Sequence, residues 1–158
     1  MGQGVDNLGV TGSVWTDHTD VPPNILNLVG LRDYTHDGRV VAEVLLGYAQ
    51  PSAVKKSTSF VPLAAMYKQL NASFGEFAMA VLKSSTHALA SSDPNDDTYL
   101  TIEGQIDSLT TQRNAVAVQM KTLLDDAEFN GKSFTDAKAQ SLSSQGQSLI
   151  DQANALPH

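Results

Sequence analysis

Phe60, Leu63, Tyr67, Leu70, Phe74, Phe77 and Val81 recur at alternating spacings of three and four residues. Only an α-helix, with 3.6 residues per turn, brings such a series onto one side. The pattern predicts a helix from about Thr58 to Ala90, with Pro62 tolerated in its first turn. At 1.5 Å per residue it would be about 50 Å long. Ser91-Ser92-Asp93-Pro94-Asn95 then reads as a break and a restart. Ser92 or Asp93 suits a cap, Pro94 a first helical position, and Asp96 and Asp97 the positive end of the next helix dipole. A second stripe follows: Tyr99, Ile102, Ile106, Leu109, Val116, Met120, Leu123 and Ala127, interrupted by Arg113 and closed by Asn130-Gly131. Arg113 reads as a register-setting or snorkelling residue. A third, weaker stripe runs through Ala139, Leu142, Gly146, Leu149, Ala153 and Leu156, and needs partners to stay folded. Short connections between long helices predict an antiparallel three-helix, coiled-coil-like bundle over residues 57–158.

Residues 1–52 differ in kind, being punctuated by glycine and proline. Leu8-Gly9-Val10 and Val14-Trp15 read as short extended pieces. A helix is predicted over residues 20–30, with Thr19 or Asp20 as cap and Pro22 and Pro23 in the first turn. Ile25, Leu26, Leu28 and Val29 would form its apolar face and Gly30 would close it. After the Asp37-Gly38 turn signal, Arg39–Leu46 fits either a strand or a short helix, because eight residues do not separate the two periods. Such pieces lack the neighbours an isolated sheet needs and require covering. The fold class is therefore mainly α: a short irregular α/β-edge segment, then the bundle.

The formal net charge of −7 argues against nucleic acid and against an anionic membrane surface as partners. With no cysteine, disulfides, thiolate metal sites and thiol nucleophiles are excluded. No apolar run approaches the ~20 residues of a membrane-spanning helix, and no basic-then-apolar secretory leader opens the chain. Phosphate-loop, serine-elbow and Cys/His zinc patterns are likewise missing.

Asp17-His18-Thr19-Asp20 is the tightest group of metal-type ligands, with Asp33, His36 and Asp37 close in sequence. Adjacent residues cannot all point at one ion, so Asp17, His18 and Asp20 read first as cap and turn, with metal ligation the rival. Asp125, Asp126 and Glu128 sit at the unfavourable end of a helix dipole; Asp125, Glu128 and Asn130 faintly resemble a cation loop, but the EF-hand pattern is absent and a solvated face is the better reading. His87, near a helix C-terminus, reads as structural and His158 as terminal.

The N-terminal residues also resemble a known family. Gly2-Gln3-Gly4-Val5-Asp6-Asn7-Leu8-Gly9, Trp15-Thr16-Asp17-His18-Thr19-Asp20-Val21-Pro22-Pro23-Asn24 and Leu28-Val29-Gly30-Leu31-Arg32-Asp33-Tyr34-Thr35-His36-Asp37-Gly38-Arg39-Val40 look like the last segment of bacterial alkaline-phosphatase-superfamily phosphoesterases. There a "GPGV…LG" region leads to "W-x-DHTD-x-RPT" and then "L-x-GL-x-DDY-x-x-DGRV". The resemblance covers residues 2–46 and extends more loosely to residue 72. Departures are Gln3 for proline, Pro22-Pro23-Asn24 for Arg-Pro-Thr, and Arg32 for the first aspartate.

In that family this passage follows the last metal-ligand histidine and closes the edge of the catalytic domain. The resemblance thus implies the non-catalytic C-terminal portion of a metal-dependent phosphoric ester hydrolase, with the catalytic core absent. It implies no catalytic residue and no cofactor in this chain, although the parent family uses divalent metals. The expected partner is the missing catalytic domain, or a second copy through the helices. The expected location is extracellular or periplasmic if the parent is secreted. The alternative is a helical interaction or oligomerisation module with no enzymatic role.

Overall fold

The computed structural model describes residues 3–32 and 35–158. Gly2, Asp33 and Tyr34, which belong to the family-like run, lie outside the described residues. The chain is mainly α, as the periodicity requires, and no strand occurs among the described residues. Its helices are α1 (Val21–Val29), α2 (Ser52–Lys56), α3 (Phe60–Asn71), α4 (Glu76–Leu89), α5 (Asp97–Phe129) and α6 (Asp136–Asn154). Two compact units result, and neither is a continuous stretch of sequence. One comprises residues 1–65 and 121–139, the other residues 66–120 and 140–158.

The second unit is an antiparallel helical bundle organised on α5. Ser85 Oγ donates to Glu103 Oε1 at 3.0 Å, and the Arg113 guanidinium lies 5.5 Å from the Phe77 ring centre. Going up α4 therefore means going down α5. At the end of α3, Asn71 Oδ1 accepts a hydrogen bond of 2.7 Å from Arg113 Nη1. Met66 of α3 and Met120 of α5 both border Gly146 of α6, and Pro157 lines one hollow with Thr98 and Ile102. Thus α3 and α6 also run against α5. Ile102, Ile106, Leu109, Val116 and Met120 are buried, as are Leu142, Leu149, Ala153 and Leu156. The polar seam residue Arg113 donates to Asn71 and lies over the Phe77 face, while its buried Nε has no hydrogen-bond partner among the described residues.

The helix predicted over 58–90 is instead two, α3 and α4, separated by residues 72–75. Gly75 makes the break tight: a Cβ there would stand 2.4 Å from the Gln69 carbonyl oxygen and 2.6 Å from that of Lys68. The side chain of Gln69 accepts the Glu76 N–H at 3.2 Å, so α4 starts on a group supplied by α3. Phe74, assigned to the apolar stripe, is 80% exposed. The period predicts a face but does not register the break inside it, across which both helices keep their direction along α5.

The first unit wraps the irregular N-terminal region around the end of α5. Val40, Leu45 and Phe129 form its buried cluster, with Val5, Leu26 and Ala49 packed against them. Arg39–Leu46 is neither strand nor α-helix. It is extended, with one turn of 3₁₀-helix at Ala42–Val44 and a single antiparallel bridge between Val5 and Leu45. The Asp6 N–H donates to the Val44 carbonyl and the Leu46 N–H to the Gly4 carbonyl, each at 2.9 Å. On α5 the buried residue is Leu124 rather than the expected Leu123, because the last turns of this helix serve a different core. Gly131, at φ +63°, ends α5, and the Lys132 N–H returns to the Asp126 carbonyl at 2.9 Å.

Helix α1 forms where predicted, with Gly30 in the left-handed conformation as its C-cap, but it faces the other way. Asn24 and Asn27 point inward. Asn24 donates to the carbonyls of Asp20 (2.7 Å) and Arg39 (3.3 Å) and accepts the Val41 N–H (3.1 Å). Asn27 donates to the Ala49 carbonyl at 3.0 Å. Of the expected apolar face only Leu26 packs inward. Val21, Ile25 and Val29 are 53%, 55% and 60% exposed. The irregular backbone beneath α1 has carbonyls and N–H groups that need partners, and the two asparagines supply them.

Candidate functional site

Asp17 and Asp20 form a local lock, with His18 in the turn between them. The Asp17 carboxylate accepts the Thr19 N–H at 2.8 Å and the Thr19 hydroxyl at 2.5 Å. Asp20 Oδ2 accepts the Asp17 N–H at 3.1 Å, completing a reciprocal capping box around the 3₁₀ turn His18–Asp20. The other oxygen of Asp20 accepts the Arg39 N–H at 2.9 Å. Both oxygens of Asp20 are therefore committed to backbone donors, and His18 is exposed. Asp17 caps the 3₁₀ turn, while Asp20, one of the two expected caps, is the N-cap residue of α1 without a side-chain cap hydrogen bond and connects the turn to the Gly38-Arg39 segment.

Gly38 is what permits that connection. A Cβ on it would lie 1.9 Å from the Thr19 carbonyl oxygen, so the two backbones touch where only hydrogen fits. Arg39 is buried beside this contact, with Nη1 and Nη2 bound to the two oxygens of Glu43 at 2.7 and 2.9 Å. Its Nη2 also reaches the Trp15 carbonyl at 3.4 Å. The fork geometry makes this a bidentate pair. Residues of the family-like run, Asp17, Asp20, Asn24, Gly38 and Arg39, are thus one interlocked structural group.

A second titratable group assembles from residues far apart in sequence. The segment after Gly38 runs across the last turns of α5, which carry Lys121, Asp125 and Glu128. Glu128 Oε1 accepts the Val40 N–H at 3.0 Å, while its buried Oε2 has no hydrogen-bond partner among the described residues. Burial pushes the Glu128 carboxyl up to about 8, with the neighbouring Asp125 charge adding to the rise against the Val40 hydrogen bond, Lys121 and Arg39. Lys121 is ion-paired with Asp125 one turn away. His36 Nδ1 is 3.1 Å from the Gly38 carbonyl, and Nε2 is 3.9 Å from Asp125 Oδ1. Phe129 meets the imidazole edge-on, ring centres 5.4 Å apart. Burial, then the Lys121 charge, hold the His36 pKa below its ordinary value.

Asp125, Asp126 and Glu128 are therefore not one solvated face. Asp126 takes a hydrogen bond from Asn130 at 3.0 Å and pairs with Lys132 at 3.1 Å, and these, in that order, keep its carboxyl below the usual range. Glu128 is turned into the protein. A signal for this existed, since Met120, Leu124 and Glu128 recur every four residues and Ala127 and Phe129 flank the acid. His36 was legible only as a neighbour of Asp33 and Asp37. Its approach to α5 spans 85 or more positions and has no sequence signature. His87 is exposed near the end of α4, and His158 Nδ1 contacts the Leu156 carbonyl at 2.9 Å.

No protein family, curated protein or solved structure matches this chain. Among the described residues, no helix is long and apolar enough to cross a membrane.

Proposed function

We propose that this chain is the non-catalytic C-terminal portion of an alkaline-phosphatase-like phosphoesterase of bacterial type, with α1 packing against the catalytic α/β domain. The observation that carries this reading is the inverted amphipathicity of α1. Its asparagines face inward, and Val21, Ile25, Leu28 and Val29 form an outward apolar stripe that Leu31 prolongs. A contiguous exposed stripe of this kind marks a surface meant to be covered. It is borne by the very residues that resemble the edge of the family's catalytic domain. The Asp17/Asp20/Gly38/Arg39 lock holds that helix in place and leaves those residues no catalytic part.

The test is the mass of the native product in its source, probed with an antibody against α6. A band several times the 16.8 kDa of this chain is expected; a sole band at that mass overturns the reading. The isolated chain should also fail to hydrolyse an aryl phosphate. Metal-dependent turnover proportional to protein and surviving repurification counts against the proposal. A self-associating helical module is the second reading, favoured by Leu82 and Leu89, exposed one heptad apart on α4. Light scattering that gives a concentration-dependent mass supports it, and a monomer at all concentrations removes it.

A further inference from the structure

We propose that His36, Asp125 and Glu128 form a binding site for one divalent cation of borderline character, zinc being the best match. This is independent of the phosphoesterase reading and uses none of that family's metal ligands. Each of the three residues offers one ligand atom, and these atoms lie within 4.8 Å of one another. A tetrahedral zinc with bonds of ~2.0–2.2 Å needs its ligand atoms roughly 3.3–3.6 Å apart. The His36 Nε2 to Asp125 Oδ1 distance of 3.9 Å is within half an ångström of that requirement.

The imidazole presents the right nitrogen. Nδ1 lies 3.1 Å from the Gly38 carbonyl, which only accepts, and 3.4 Å from the Lys121 ammonium, which only donates; in the tautomer that makes the shorter contact, Nδ1 carries the proton and the Nε2 lone pair is left on the Asp125 side. A ligating histidine anchored through its other ring nitrogen to a backbone carbonyl is the usual second-layer arrangement of zinc sites. The Phe129 edge contact fixes the ring plane.

An independent observation comes from Glu128. The residue is only 5% exposed, one oxygen is held by the Val40 N–H, and the other is buried with no partner among the described residues. A buried orphan oxygen is expensive, and a cation held between it, Asp125 and His36 satisfies it. Asp125 and Glu128, three apart on α5, share one face of the helix. The donor set of one nitrogen and two carboxylates suits zinc and its neighbours rather than calcium. It leaves a fourth position for water.

Lys121 is the resident competitor, since its ammonium already pairs with Asp125. This makes a prediction that a purely structural cluster does not share: Lys121→Met should raise affinity for the ion.

The experiment is calorimetric titration of ZnCl₂ into the full 158-residue chain after EDTA stripping, with Co²⁺ as a spectroscopic probe. The expected result is one ion per chain and visible Co²⁺ bands of a low-coordinate site with a nitrogen ligand. Binding should weaken by at least roughly 10-fold in Glu128→Gln and Asp125→Asn, since losing a ligand costs no less than losing a ligand's own hydrogen-bond partner, and tighten in Lys121→Met. Asp125 is partly exposed, so its replacement tests the site even if Glu128→Gln perturbs folding. His18→Ala should change nothing. Absence of 1:1 binding overturns the proposal. So does binding that survives both Asp125→Asn and His36→Gln unchanged, or that is lost in His18→Ala.

Discussion

Gly38→Ala is the substitution that tests how the N-terminal region is held. The added carbon would sit 1.9 Å from the Thr19 carbonyl oxygen, 2.3 Å from its carbon and 2.7 Å from the Asp20 nitrogen. All three are backbone atoms, so no rotamer change relieves the contact, and the segments must separate. Separation breaks the 2.9 Å hydrogen bond from the Arg39 N–H to Asp20 and frees the carboxylate that also caps the turn through Asp17. Two hydrogen bonds to a charged group, at about 1.5–3 kcal/mol each, set the expected loss at roughly 3–6 kcal/mol. The assay is native-state hydrogen exchange, because a chain of two compact units need not unfold in one step. Amides of residues 17–41 should lose protection while those of residues 102–117 keep it. The matched control is Gly104→Ala in α5, where nothing lies within 4 Å of the added carbon. It should stabilise its helix by ~0.5–1 kcal/mol. If Gly38→Ala costs less than ~1 kcal/mol, the close approach of the two segments is not what organises this region.

Two further substitutions probe other parts of the chain. Gly75→Ala should destabilise the second unit by ~1–3 kcal/mol, since its carbon meets two backbone carbonyls. A gain in helicity with unchanged melting temperature would instead mean that α3 and α4 can merge. In EDTA, stability should fall with rising pH between 7 and 8. There the folded chain retains the Glu128 proton that the unfolded chain has released, the carboxyl being raised from 4.5 to about 8. The slope is ~1 kcal/mol per pH unit at most, levels off above that pKa, and should vanish in Glu128→Gln. His36 acts oppositely, costing stability as pH falls through its ordinary value of 6.5, outside this window. Denaturant titrations at pH 7 and 8 decide the sign.

The sequence by itself determined the local elements of this protein. Spacings of three and four dictated helices, Asn130-Gly131 and Gly30 dictated where two of them end, and Pro22-Pro23 dictated where α1 begins, because each depends on neighbours within one or two turns. Tertiary structure decided which way those elements face. The apolar residues of α1 were legible, but not that Asn24 and Asn27 would be drawn inward by an irregular backbone and push Ile25 and Val29 out. The stripe through Phe74 was legible, but not the break that Gly75 permits against the carbonyls of α3. Glu128 read as a solvated acid at a helix end, and became a buried one because residues 36–40 cover that end from across the chain. A helix period records one face of one element. The partner that covers it is settled by contacts between residues remote in sequence, for which the period carries no term.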